Sequence, residues 1–175
     1  MSATWINPKI IIGNTATGKY YFPRPQIEAD IWDEISKGNH VLLAAPRRVG
    51  KTSVMLAMLE NCPEETHCIF KNIQGVKSEA EFYQQFFQLI VQCLNKFQKG
   101  KKWITDLFGH LTIEEITLEG LKFGEKKPTD FVEEINKILP KIQQHGLKIV
   151  LLLDELPEVL NNLHKNGKKI EASNI

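Results

Sequence analysis

Ala45-Pro46-Arg47-Arg48-Val49-Gly50-Lys51-Thr52 decides how the chain is read. It matches the phosphate-loop pattern G-x-x-x-x-G-K-[ST] at every position but the first, where Ala45 replaces glycine. The chemistry explains the pattern. A phosphate needs several backbone N–H groups pointing inward, and a loop that opens a helix supplies them. Gly50 permits close backbone approach and unusual dihedrals. Lys51 is a point charge long enough to reach the outer phosphates, and the Thr52 hydroxyl is an oxygen ligand for Mg²⁺. Ala45 is small, but it lacks the dihedral freedom of glycine.

The flanks fit such a loop. His40–Ala45 is a short, continuous apolar run with β-branched Val41, which predicts a buried strand of a parallel sheet. Ser53–Leu59 follows with Val54, Met55, Met58 and Leu59 at helical spacing, and Cys62-Pro63 ends that helix. Upstream, Ile27, Ile31 and Ile35 recur every four residues over Pro25–Ser36, and Gly38 stands where a helix stops. Residues 1–25 read as an N-terminal arm broken by Gly13, Gly18, Pro23 and Pro25, with one short strand at Lys9–Ile12.

Downstream, Thr66–Ile73 is a second strand. Ser78 with Glu81 is a capping box that opens a helix whose core face is Phe82, Phe86, Leu89, Ile90, Cys93, Leu94 and Phe97. Trp103, Ile104, Leu107, Phe108 and Leu111 suggest a short helix, and Ile116–Phe123 a small strand or hairpin. Asp130 with Glu133 caps a further helix bearing Phe131, Ile135, Ile138 and Ile142, which Gly146 stops. Ile149–Leu153 is the third strand, and a helix runs from there to about Asn162 with Pro157 in its first turn. Short apolar strands alternating with longer helices predict an α/β fold around a parallel sheet.

The second informative stretch is Ile149-Val150-Leu151-Leu152-Leu153-Asp154-Glu155. A strand of this kind delivers Asp154 to the carboxyl edge of the sheet, where open α/β sheets bind ligands. Asp154 would hold Mg²⁺ through water, as a Walker B aspartate does. Glu155 is placed to orient and deprotonate an attacking water. The alternative role for Asp154 is a cap on the helix that follows.

Composition bounds the rest. At 175 residues the chain is the size of one domain, 42% hydrophobic and 25% charged, which excludes disorder and collagen-like structure. A formal net charge of +1 is not that of a DNA-coating protein. Cys62, Cys68 and Cys93 are an odd count without C-x-x-C spacing, which reads as reduced thiols in a reducing cytosol. The start of the chain lacks the basic and apolar regions of a signal peptide, and the aliphatic runs are far short of a bilayer span. A soluble, cytoplasmic chain with no membrane contact is expected.

Together these stretches resemble the AAA-like ATPases of the archaeal-ATPase and STAND-related group. Tyr21-Phe22-Pro23-Arg24 with Glu28, the run Pro46–Ser53, and Leu153-Asp154-Glu155-Leu156-Pro157 carry the likeness, which spans about Phe22 to Leu163. The resemblance implies a three-layer P-loop NTPase fold of the glutamate-base class, with an extra strand between the Walker A and Walker B strands. It implies ATP and Mg²⁺ as cofactors, with nucleotide held by Ala45, Pro46, Arg47, Arg48, Val49, Gly50, Lys51, Thr52 and Ser53. Mg²⁺ falls to Thr52 and Asp154, and catalysis to Lys51 and Glu155. Members of the group often show F-x-G-R-x-x-E at the first place. Pro23-Arg24-Pro25 departs from it, so no adenine contact is carried over to Phe22–Arg24.

The resemblance also implies two core strands, a sensor residue and often arginine fingers beyond Leu163. The expectation is therefore an incomplete domain: an arm over 1–25, an ATPase core over 26–165 and the start of a continuation over 166–175. A gap between the first and third core strands would leave apolar edges that invite dimerisation or rearrangement. Three functions stay open: Mg²⁺-dependent ATP hydrolysis; a nucleotide-dependent switch with little turnover, acting on a protein partner or a second copy; and a nucleic-acid module using Lys96, Lys99, Lys101 and Lys102 around Trp103.

Overall fold

The computed structural model describes residues 14–98, 102–109, 113–116, 121–123 and 130–165. They fall into two compact units, residues 1–62 and 63–175. Within the described residues the fold is mixed α/β, with one two-stranded parallel sheet and one two-stranded antiparallel sheet.

The first unit holds helix α1 (Pro25–Ser36) and helix α2 (Lys51–Glu60). Pro25 is the first residue of α1, where its missing N–H costs nothing. The helix ends in a Schellman motif: Gly38 has φ +84, its N–H donates to the Ile35 carbonyl, and the Asn39 N–H donates to Glu34. Of the three isoleucines at four-residue spacing, Ile31 is buried and Ile27 is exposed.

The expected strand over His40–Ala45 is not formed. Residues 41–46 have no regular structure, and Val41 and Leu42 are 40% and 70% exposed. A strand exists by its ladder, and among the described residues nothing pairs with this stretch. The backbone turns on itself instead, the Ala44 N–H donating to the Leu42 carbonyl at 3.2 Å.

The second unit is built on strand β1 (Thr66–Asn72) paired in parallel with strand β4 (Lys148–Asp154), in register from Thr66↔Lys148 to Asn72↔Asp154. Between them run helix α3 (Glu79–Gln98), helix α4 (Lys102–Phe108), a hairpin of β2 (Ile113–Ile116) with β3 (Leu121–Phe123), and helix α5 (Phe131–Gln144). Helix α6 (Leu156–Lys165) follows β4.

Among the described residues two clusters stand in its core. Phe87, Ile90, Val91 and Leu94 of α3 pack with Phe108 of α4 and with Ile135, Ile138 and Ile142 of α5. Ile73, Val76 and Phe82 pack with Val159 and Leu163 of α6. Helix α3 therefore buries more than the expected stripe, since Phe87 and Val91 are as enclosed as Ile90 and Leu94. Phe97 and Leu111 belong to the expected faces, but their burial lies outside the described residues.

The helix starts follow the sequence signals. Asp130 Oδ1 accepts the N–H groups of Val132 and Glu133 at 2.8 and 3.2 Å. The Ser78–Glu81 pair is shifted from an ideal capping box. Ser78 Oγ accepts the Glu81 N–H, but the Glu81 carboxylate takes the N–H of Lys77 rather than that of Ser78. Pro140 sits inside α5, within the range that the cap and the stop signal predict for one helix.

Cys62 and Cys68 are disulfide-bonded, which corrects the expectation of reduced thiols and removes the cysteine argument for a reducing compartment. Cys93 is a free thiol inside the α3 core, and burial pushes its pKa up to about 11. No helix among the described residues is long and apolar enough to cross a membrane.

Asp130→Ala is expected to destabilise the chain by about 1 kcal/mol, with most of the loss restored in Asp130→Asn. Urea unfolding followed by far-UV circular dichroism reads both.

Candidate functional site: a phosphate loop and a carboxylate edge

Gly50 is the pivot of the loop. It is the N-cap of α2 with φ +90 and ψ 26, in the left-handed region that favours glycine. The helix begins at Lys51, and its first intrahelical bond runs from the Val54 N–H to the Gly50 carbonyl at 3.0 Å. Gly50 offers no side chain to cap the helix, and the first turn carries no acidic residue. The positive end of α2 is thus left for an external anion. Lys51 Nζ bends back over the loop, donating to the carbonyls of Ala45 at 2.8 Å and Pro46 at 3.0 Å. Residues 45–49 are exposed, Gly50, Lys51 and Thr52 are partly buried, and Ser53 is buried.

Arg24 belongs to the same unit and lies against this pivot. A Cβ added to Gly50 would stand 3.0 Å from Arg24 Nη2 and 3.5 Å from its Cζ. The segment before α1 is fixed by Glu28. Its Oε1 accepts the Tyr21 hydroxyl at 2.6 Å and the Arg24 N–H at 3.2 Å, while the Glu28 N–H donates to the Arg24 carbonyl. The spacing Tyr21, Arg24, Glu28 was visible in the sequence. The packing of Arg24 on Gly50 was not, because it joins residues far apart in the chain.

The carboxylate edge belongs to the second unit. Asp154 ends β4 and is 5% exposed. Its Oδ1 accepts the Glu155 N–H at 3.0 Å. Asn72 stands opposite it in register, and the Ile73 N–H donates to the Asp154 carbonyl. Asn72 Oδ1 accepts the Gln74 N–H, and Gln74 Nε2 donates to Glu158 Oε1 at 3.0 Å, which ties this edge to α6. Helix α6 starts two residues after Asp154. Glu155 is the residue whose carbonyl accepts from Glu158 and Val159.

Arg48 and Glu155 both have φ +65, the two non-glycine residues with positive φ among those described. Each such residue stores roughly 1–3 kcal/mol of strain. One lies in the phosphate loop and the other beside the buried aspartate, so each sequence motif contains one strained residue.

Trp103, the aromatic residue of the basic cluster, is partly buried. The Trp103 ring stacks on His145 with centroids 4.3 Å apart and packs against the α3–α5 core, so a nucleotide base cannot take that face. Lys99 and Lys101 lie outside the described residues.

The family described as predicted AAA-ATPase matches residues 17–174. The chain belongs to this AAA-ATPase-like family, a class of nucleotide-binding proteins. No curated protein and no solved structure matches it.

Two outcomes test the geometry. Burial first, and then the hydrogen bond to Glu28, push the Tyr21 phenol from 10.0 to about 12. The folded chain holds this proton more tightly than the unfolded chain. The associated stability is fully present below pH 10 and is lost as the pH rises from 10 to about 12. Melting curves of Tyr21→Phe should lack that component of the fall. Glu155→Gly should hold or raise stability, because relief of the left-handed strain at about 1–2 kcal/mol outweighs the roughly 0.5–1 kcal/mol entropy cost of glycine. Glu155→Val should lower it, and denaturant midpoints distinguish the two.

Proposed function

We propose that the chain binds Mg-ATP at Ala45–Ser53 and hydrolyses it, with the hydrolytic cycle biasing a conformational switch. The single observation that carries this reading is the opening of α2. A left-handed glycine, an uncapped positive helix end and a lysine already curled over the loop stand in the order that a triphosphate requires. Membership of the AAA-ATPase-like family supports the same reading. We take residues 26–165 as the ATPase core, on the three-layer P-loop plan.

Mg²⁺ prefers oxygen ligands and retains waters, and the Thr52 hydroxyl in the first unit and the Asp154 carboxylate in the second are each a hard oxygen donor of that kind. Bound there, the ion would neutralise charge on the outer phosphates. Lys51 would leave the Ala45 and Pro46 carbonyls to pair with phosphate oxygens. The loop N–H groups orient the chain of phosphates. Glu155 takes the proton of the attacking water. The switch follows from linkage, since a ligand at 100 times its dissociation constant stabilises the state that binds it by about 2.7 kcal/mol.

Thermal shift and calorimetric titration with Mg-ATP, Mg-ADP and Mg-GTP test the site. Mg-ATP should raise the melting temperature of the wild type, and Lys51→Ala should abolish the shift. Glu155→Gln should keep binding and lose about 100-fold or more in turnover. A wild type whose melting point no nucleotide moves refutes the reading. Binding without turnover in the wild type leaves the switch and removes the hydrolase.

A further inference from the structure

We infer that Arg24 is a second phosphate-binding cation of this site, reaching the triphosphate from outside the loop; the inference rests on the nucleotide reading above. The guanidinium packs against the bare Cα of Gly50, with Nη2 3.0 Å and Nη1 3.5 Å from where a Cβ would stand. That is the start of α2, where the helix dipole repels a cation. Arg24 therefore occupies an electrostatically unfavourable place unless an anion shares it.

The nearby carboxylate does not relieve this. Glu28 Oε1 already accepts the Tyr21 hydroxyl and the backbone N–H of Arg24, and among the described residues no ion pair engages the guanidinium. Nor is the position left to chance. Pro25 restricts the Arg24 backbone, and Glu28 binds that backbone at both its N–H and its carbonyl. The guanidinium is thus carried on a fixed mount beside Gly50. Its planar fork suits two phosphate oxygens at once, which the point charge of Lys51 does not. Gly50 then has two reasons to lack a side chain: its positive φ and the space the guanidinium takes.

The test uses the full chain and two ligands, Mg-ATP and inorganic Mg-tripolyphosphate, titrated calorimetrically into wild type, Arg24→Gln and Arg24→Lys. Arg24→Gln should weaken both ligands by a similar factor of about ten, with a shallower dependence of affinity on salt. Arg24→Lys should recover part of the loss. The melting temperature of the unliganded variants should stay that of the wild type. Weakened ATP with unchanged tripolyphosphate would assign the guanidinium to the base and overturn the inference. Equal losses in Gln and Lys, with a lowered unliganded melting temperature, would reduce Arg24 to a prop for the loop. Unchanged affinities in Arg24→Gln, against a wild type that binds, would sink Arg24 alone. A wild type that binds neither ligand would take down the phosphate site itself, and this inference with it.

Discussion

The parallel ladder between Thr66–Asn72 and Lys148–Asp154 is the constraint on which the larger unit depends. Its strands are far apart in sequence, so the ladder closes a long loop before any of its hydrogen bonds forms. The cost is offset by what lies in that loop. Helices α3 and α5 pack Phe87, Ile90, Leu94, Ile135 and Ile138 into one cluster. Each of these side chains contributes on the order of 1.5–3 kcal/mol when fully buried. The register has a chemical consequence. A slip of one residue would turn every side chain of β4 to the other face, and Asp154 would lose both its burial and its place opposite Asn72.

In the smaller unit one backbone angle holds a comparable position. Gly50 at φ +90 lets the chain reverse into α2 without a cap. The backbone pinned by Glu28 and the curled side chain of Lys51 converge on the same few residues. A cluster of cations at the positive end of a helix is a poor arrangement for stability. It is a good one for receiving a polyanion.

Much of this was legible in the sequence. Asp130, Gly38 and Gly146 marked helix ends because caps are local, set by side chains within a few residues of the backbone they satisfy. Thr66–Ile73 read correctly as a strand. His40–Ala45 did not, because a strand is defined by a partner and a run of apolar residues does not name one. The stacking partner of Trp103 was hidden for the same reason: its neighbour in space is His145, which lies far off along the chain. Cys62 and Cys68 were read by count and spacing, neither of which reports proximity.

Four positions share a property that the sequence does not display: each breaks a local rule. Arg48 and Glu155 hold left-handed backbones without being glycine. Asp154 buries a carboxylate, which water solvates far better than protein does unless partners compensate. Arg24 places a cation at a helix N-terminus. A chain selected for stability alone would carry glycine, an apolar residue and an acid at those places. The departures collect in the phosphate loop, its flank and the edge of β4, while the helices obey their capping and packing rules, and breaks of that kind are where a sequence gives up local consistency for something other than stability.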